Sequence, residues 1–388
     1  MRPTVRKFTT TCLLFAGLVA NLSHADTHAT EIGSTEKAAE RSAPPNVIFD
    51  TDMKGDIDDA MALAIMHALH DRGEINLVAV TVSTEDKWSA SYVDLVNTFY
   101  RHPQIPVGMV RGGIDTEALR KMCSCAPSNY TELLAGRRKN DGSLVYPHRL
   151  VDGTKASEAV SILRKTLAAQ PDGSVVIVQV GYSTNLARLL DTGADVSCTL
   201  NGRDLIKRKV RLLSVMAGTF AEYRFFGTTL PKGSPEFNLM ADVPSAQKLF
   251  SQWPTPIVAS GAEIGLGMLY PAHSIEHDYG YVENHPIAEA YRTFSLRSTD
   301  ASGREIISFA WPYDYPTWDL TAALYAARPD RNYFSLSKPG RITVLPDGGS
   351  RFDEAEDGTH RYLILDEEQK ARTLEAMVML VSQPPKGK

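Results

Sequence analysis

Five aspartates occur within ten residues of this chain, between an apolar run at 46–49 and a helix-like run at 60–66. They are Asp50, Asp52, Asp56, Asp58 and Asp59. Two carboxylates about 5 Å apart repel by roughly 3 kcal/mol at an effective dielectric of about 20, so this packing favours a bound cation. Hard oxygen ligands of this kind indicate Ca²⁺ or Mg²⁺.

The simpler alternative is that these aspartates are turn and helix-capping residues. Asp is a common N-cap and is stabilising near the positive end of the helix dipole. Capping accounts for one or two of the five. The others lie between a buried strand and a helix, where open α/β sheets bind their ligands. We therefore interpret the cluster as part of a functional site.

Strand-like and helix-like segments alternate along the chain. Strands are predicted at 46–50, 76–83, 175–180, 210–216 and 256–260, and helices at about 58–71, 88–101, 155–169, 185–191 and 242–252. This alternation predicts an α/β, Rossmann-like fold with a mostly parallel central sheet flanked by helices. Short strands at 332–336, 341–346 and 361–365 predict a small antiparallel addition near the C-terminus. Residues 262–316 are predicted to be a helical or irregular insertion that covers the site.

The first 25 residues have the pattern of a secretory signal peptide. Arg2, Arg6 and Lys7 precede a short apolar core, and a small-x-small sequence ends at Ala25. That core is too short to span a membrane well. We expect an exported protein, periplasmic or secreted, with no membrane association after processing. Residues 26–44 are predicted to be a disordered lead-in, followed by a single domain at 45–388.

Charge and cysteine content exclude some classes of protein. A net charge of −5 gives no support for nucleic-acid binding. The cysteines beyond the signal segment are Cys123, Cys125 and Cys198, an odd number that allows at most one disulfide bond among them. No His or Cys partners stand at zinc-like spacing. A disulfide-dense scaffold and a structural zinc site are therefore not expected.

The aspartate loop is the first of four motifs that resemble, in order and approximate spacing, those of the inosine/uridine-preferring nucleoside hydrolase family. The others are Thr184-Asn185, Glu236-Phe237-Asn238 and Trp318-Asp319. The resemblance covers most of residues 45–365. The aspartate loop is two residues longer than the family's Asp-x-Asp-Pro-Gly-x-Asp-Asp-Ala, so Asp56 is either a residue that supports the metal ligands or a turn residue.

The resemblance implies a Ca²⁺ ion at the bottom of a pocket. Its ligands would be Asp52, Asp59, Asp319 and the backbone carbonyl of Thr184. Asp52 would also be the catalytic residue, because it would take the proton of the attacking water. A metal ion lowers the pKa of such a water and can orient sugar hydroxyls.

The same resemblance implies a set of sugar ligands. Asp58 would contact the 2′-hydroxyl, Asn238 the 3′-hydroxyl and Glu236 the 5′-hydroxyl, while Met216 would pack beneath the sugar. Glu85 stands where the family has an Asn on the ribose side of the site. This added carboxylate is expected to change the preferred sugar or to tighten the metal site.

Help for the departing base has two candidate sources. Trp318 offers a large stacking face, which favours purine nucleosides over uridine. A general acid is the other source, and the candidates are His277, Asp278 and His285. The loop at 139–142 lacks the His that the family often has there.

The resemblance therefore predicts a Ca²⁺-dependent enzyme that hydrolyses the N-glycosidic bond of ribonucleosides through an oxocarbenium-like transition state. It also implies a homo-oligomer, either a dimer or a tetramer. One alternative is an exported Ca²⁺-dependent nucleoside- or sugar-binding protein without catalysis, to which the longer loop and Glu85 point. The other is a phosphatase of the haloacid dehalogenase type, whose loop motif would require Thr or Val in place of Lys54.

Overall fold

The computed structural model describes residues 43–115, 125–225, 227–299, 303 and 305–387. Within it, Pro44–Lys388 forms one compact unit. The predicted signal peptide, nearly all of the predicted lead-in and Cys123 lie outside the described residues. No helix in the described part of the chain is long and apolar enough to cross a membrane.

The described strands, in chain order, form one large sheet and three small ones. They are β1 (Asn46–Thr51), β2 (Asn76–Val82), β3 (Val107–Met109), β4 (Cys125–Pro127), β5 (Ser157–Glu158), β6 (Val175–Gln179), β7 (Val210–Met216), β8 (Tyr223–Phe225), β9 (Thr228–Leu230), β10 (Ile257–Ser260), β11 (Leu269–Tyr270), β12 (Leu296–Thr299), β13 (Glu305–Phe309), β14 (Tyr315–Pro316), β15 (Ser335–Leu336), β16 (Gly340–Val344), β17 (Ser350–Glu354) and β18 (His360–Ile364).

The α-helices of the described residues flank these strands. They are α1 (Asp58–Asp71), α2 (Ser89–Phe99), α3 (Tyr130–Ala135), α4 (Ala159–Ala169), α5 (Thr184–Leu190), α6 (Gly202–Lys209), α7 (Phe237–Ala241), α8 (Val243–Gln252), α9 (Ala262–Leu266), α10 (Ala272–His277), α11 (Pro286–Thr293), α12 (Trp318–Ala327) and α13 (Glu367–Val381).

The large sheet has the order β17-β16-β18-β10-β7-β6-β1-β2-β3-β5, with β15 paired to β18. Every pair from β18 to β5 in this order is parallel. The pairs that involve β15, β16 and β17 are antiparallel. The predicted α/β fold with an antiparallel C-terminal addition is therefore confirmed.

Strand β1 lies within the sheet, between β2 and β6, and both of its faces are covered. From Val47 to Thr51 every residue is buried, as expected for a central strand of a parallel sheet. Helix α1 is buried from Asp58 to Leu69. Separate apolar clusters pack on the two faces of the sheet, so the sheet lies between two layers of helices. The carboxyl ends of the parallel strands lie at one edge of the sheet.

The segment at 262–316 is more regular than its sequence pattern indicated. It contains helices α9, α10 and α11 and strands β11–β14. Strand β12 pairs with β13 and with the distant β4. Because the pairing with β4 spans a long stretch of sequence, the local pattern of residues 262–316 did not reveal these strands.

Candidate active site

A cavity of about 370 Å³ lies at the carboxyl ends of β1, β6 and β7. Asp52 follows β1, Val180 follows β6, and Met216 ends β7; all three line the cavity. Parallel strands end at the same edge of the sheet, which is where open α/β folds bind ligands. The volume is within the range of small-molecule sites.

The first aspartate of the cluster has a structural role. Asp50 Oδ1 accepts hydrogen bonds from Thr81 Oγ1 at 2.5 Å and from Asn185 Nδ2 at 2.8 Å. These bonds join β1 to β2 and to α5. Asp50 is not among the residues that line the cavity, so this carboxylate is part of the fold rather than of the site.

Three buried carboxylates lie together where two helices begin. One oxygen atom from each of Asp58, Asp59 and Asp319 lies within 4.8 Å of the others. Asp58 and Asp59 are in the first turn of α1, and Asp319 is in the first turn of α12. The Asp319 backbone N–H donates to Asp58 Oδ2 at 3.1 Å, and the Thr51 hydroxyl donates to Asp59. The positive ends of both helix dipoles therefore face the trio.

The electrostatics of this trio fit a divalent cation. Burial, followed by the neighbouring carboxylates, raises the pKa of Asp58, Asp59 and Asp319 well above the usual range. No Lys, Arg or His is among the described residues that line the cavity. Buried charges of one sign need a counter-charge, and hard carboxylate oxygens suit Ca²⁺ or Mg²⁺.

Asp52 and Asp56 extend the acidic surface on the cavity side of the loop. Both line the cavity. Burial and then the charge of Asp56 raise the pKa of Asp52 to about 7. The longer loop is held by Tyr130, whose hydroxyl donates to the Asp56 carbonyl at 3.0 Å. Asp56 therefore faces the site, although its carboxylate is not in the closest trio.

The structure does not bring Thr184 into the cavity. It is the first residue of α5, and its hydroxyl donates to Asp242 at 2.5 Å. Val180 lines the cavity instead, and its carbonyl accepts a bond from Asn238 Nδ2 at 3.1 Å. The turn after β6 approaches the acidic loop closely, since a Cβ on Gly181 would lie 2.3 Å from the Asp52 nitrogen.

Glu236 and Asn238 both line the cavity, but each also has bonds within the protein. Glu236 caps α7, because its carboxylate accepts from the backbone N–H groups of Asn238 at 2.9 Å and Leu239 at 3.2 Å. Burial raises the pKa of Glu236 to about 7. Asn238 Nδ2 donates to the carbonyls of Val180 and Met216, so Asn238 joins the ends of β6 and β7.

Trp318 and Met216 line the cavity as predicted, whereas Glu85 does not. The Trp318 Nε1–H donates to the Ala262 carbonyl at 2.9 Å, which fixes the plane of the ring. Glu85 is exposed and accepts from the Gly113 N–H at 3.3 Å. The cavity residue from this loop is its neighbour Thr84, whose hydroxyl donates to the Asp52 carbonyl.

None of the three candidate acids lies at the cavity. His277 and Asp278 are exposed on the surface. His285 is buried and caps α11, because its Nδ1 accepts from the Ile287 N–H at 3.2 Å. No local pattern indicated which elements would surround these residues, and the fold places them away from the cavity.

Apolar side chains form a further wall of the cavity, which was not predicted from the sequence. Strands β4, β12 and β13 contribute one part and the hairpin of β8 and β9 another. Its side chains include Pro127, Phe225, Leu230, Ile307 and Phe309. The apolar residues within Glu305-Ile306-Ile307-Ser308-Phe309 were the available signal, but they could not show which face would meet the site.

Comparison with known proteins identifies a family and a fold. A family model described as "Inosine-uridine preferring nucleoside hydrolase" matches residues 47–380. No curated protein sequence matches the chain significantly.

Solved structures with this fold have low sequence identity to the chain. A plant nucleoside hydrolase has 18% identity and a TM-score of 0.56, covering 88% of this chain and 100% of its own. A purine-preferring ribonucleoside hydrolase from Gardnerella vaginalis has 16% identity and a TM-score of 0.59, covering 88% and 99%. The type III effector protein XopQ, complexed with adenosine diphosphate ribose, has 15% identity and a TM-score of 0.56, covering 88% and 92%.

Proposed function

The chain belongs to the inosine-uridine preferring nucleoside hydrolase family, whose members hydrolyse N-glycosyl bonds, and we propose that it cleaves purine ribonucleosides in a Ca²⁺-dependent reaction. The observation that carries this proposal is the buried trio of Asp58, Asp59 and Asp319 in a cavity that is also lined by many apolar side chains. A carboxylate floor suits a cation and a sugar. An apolar wall suits a base.

The residues present fit a bound Ca²⁺ ion. Asp58, Asp59 and Asp319 would hold it, with Asp52 beside them and the Val180 carbonyl as a further oxygen donor. When bound, Ca²⁺ acidifies a water molecule and orients sugar hydroxyls. It also supplies the positive charge that the described lining residues lack.

Asp52 is the base in the proposed reaction. It accepts the proton of the attacking water from a buried position at the carboxyl end of β1. Glu236 and Asn238 bind the sugar and are held by their own backbone contacts, so they are ordered before the substrate arrives. Contacts that strengthen as the sugar ring flattens towards an oxocarbenium ion accelerate the reaction.

Trp318 supports the purine preference. Its single N–H is already donated to the Ala262 carbonyl, so the ring offers the base a face rather than a hydrogen bond. Stacking on an aromatic face increases with the area of the base, which favours purines over pyrimidines. With His277, Asp278 and His285 away from the cavity, stacking is the form of leaving-group help that this site supports.

We propose uncharged nucleosides rather than nucleotides as substrates. Six carboxylate residues line the cavity, and none of the described lining residues is Lys, Arg or His. A phosphate group would meet like charge that one divalent ion only partly offsets. Although XopQ is complexed with adenosine diphosphate ribose, this cavity does not favour such an anion.

The composition of residues 1–25 supports export to the periplasm or medium as a further part of the proposal. Sequencing the N-terminus of the protein recovered outside the cytoplasm would test this. The family resemblance supports a homo-oligomer, which light scattering on the purified protein would test.

Ribose release from inosine, adenosine, guanosine, uridine and cytidine tests the reaction, in EGTA and with Ca²⁺ restored. We expect release that depends on Ca²⁺, favours purines and is abolished by Asp52→Asn. Asp353→Asn on the exposed strand β17 is the matched control and should retain activity. If calorimetry detects Ca²⁺ and nucleoside binding but no ribose is released, the chain is a binding protein. Release of phosphate from an aryl phosphate with Mg²⁺ would instead support the phosphatase alternative.

A further inference from the structure

We propose that the apolar wall is a subsite for a bulky apolar substituent on the base, so that base-alkylated or base-arylated nucleosides are preferred over plain ones. This inference rests on the proposed function and names the substrate class more closely. It concerns the part of the cavity lined by strands β4, β12 and β13 and by the hairpin of β8 and β9.

The register of the three-stranded sheet creates one apolar face. Leu296 is paired with Phe309 across β12 and β13, and Ser298 is paired with Ile307. Pro127 of β4 is paired with Leu296 on the other side. Paired residues on neighbouring antiparallel strands share a face, and all five line the cavity. The alternate residue Arg297 is exposed and is not among the lining residues.

The hairpin of β8 and β9 adds a second apolar surface to the wall. Phe225 and Leu230 line the cavity from this hairpin. Neither is fully buried, and Pro127, Leu296 and Ile307 are likewise only partly buried. An apolar surface that the described protein leaves uncovered inside a cavity is a place where a ligand gains by burying its own apolar surface.

The wall has little with which to recognise the polar edge of an unsubstituted base. Ser298 and Tyr223 carry its polar side-chain atoms, and Ser298 is buried with a partner of its own. The Trp318 N–H is already donated to the Ala262 carbonyl. An amino or carbonyl group on the edge of the base would therefore lose hydrogen bonds to water that the wall does not fully replace. An alkyl or aryl substituent has no such hydrogen bonds to lose.

The test compares adenosine with N6-benzyladenosine on the mature chain with Ca²⁺. We expect kcat/KM for N6-benzyladenosine to exceed that for adenosine by about 10-fold or more, as for apolar groups that enter a fitting pocket. Ile307→Asn places a polar group on the wall at a partly buried position and should lower this ratio by about 10-fold. Arg297→Gln, on the opposite face of β12, should leave the ratio unchanged.

Binding of both compounds to the same proteins separates this inference from the proposed function. If adenosine is cleaved at least as well as N6-benzyladenosine, the inference is overturned while the hydrolase assignment stands. If neither compound is cleaved, tighter binding of N6-benzyladenosine that is lost in Ile307→Asn still supports the subsite. Equal binding of the two compounds overturns it.

Discussion

Replacing Asp319 by asparagine should stabilise the metal-free protein and remove most of the stabilisation that Ca²⁺ supplies. Asp319 has a carboxylate oxygen within 4.8 Å of one on Asp58 and one on Asp59. At this separation each ionised pair repels by about 3 kcal/mol or more at an effective dielectric of about 20. Asp319 takes part in two of the three pairs, so its ionised form adds roughly 7 kcal/mol of repulsion.

Protonation relieves much of this repulsion, because the pKa of each carboxyl group is raised. The Asp319 charge also gains about 0.3–1 kcal/mol from the start of α12. After these offsets we expect Asp319→Asn to stabilise the metal-free protein by about 1–3 kcal/mol near pH 8. A Ca²⁺ concentration about 100-fold above Kd stabilises the folded protein by about 3 kcal/mol. Loss of the Asp319 ligand should remove about this amount.

Urea unfolding of both proteins, in EGTA and in Ca²⁺, measures both effects. Asp353→Asn on β17 removes a surface carboxylate paired with Arg351 and should change stability by less than about 0.5 kcal/mol in either condition. The reasoning is refuted if Asp319→Asn destabilises the metal-free protein. The carboxylate would then be retained for its packing and hydrogen bonds rather than for a cation.

Three further predictions concern pH, the base and Ca²⁺ binding. Burial and then the charge of Asp56 raise the pKa of Asp52 to about 7. In the metal-free protein, the contribution of Asp52 to the stability of the folded state is therefore lost as the pH rises from about 4 through about 7. The increase in Tm on adding Ca²⁺ should therefore be larger near pH 8 than near pH 5 in thermal melts. Trp318→Leu should lower the inosine-to-uridine ratio of kcat/KM by about 10-fold, since base stacking on an aromatic ring contributes about 1–3 kcal/mol. Asn238→Ala should weaken Ca²⁺ binding in calorimetry as well as turnover, because Asn238 holds the Val180 carbonyl.

The central part of the fold could be predicted because its signals are local. The apolar residues of β1 and α1 follow one another directly, and the acidic loop lies between them. A buried strand followed by a buried helix requires a parallel sheet with its ligand at the strand end. The same reasoning located Asp52, Asp58 and Asp59 at the cavity, which the structure reproduces.

Position along the chain does not determine which group of a loop or turn lies at the cavity. Thr184 and Glu85 were predicted at the site, but Val180 and Thr84 line the cavity in their place. Thr184 is the first residue of α5, whereas Val180 is the first residue beyond β6. One or a few residues along a turn decide which group faces the ligand.

By itself, the sequence determined the α/β class, the strand that carries the site and the acidic character of its floor, because alternation and charge clustering are properties of neighbouring residues. Only the tertiary structure decided that Asp319 completes the trio with Asp58 and Asp59. It also decided that β4, β12 and β13 form an apolar wall of the same cavity. Both arrangements depend on contacts between segments far apart in the chain, which are set by the packing of the whole domain.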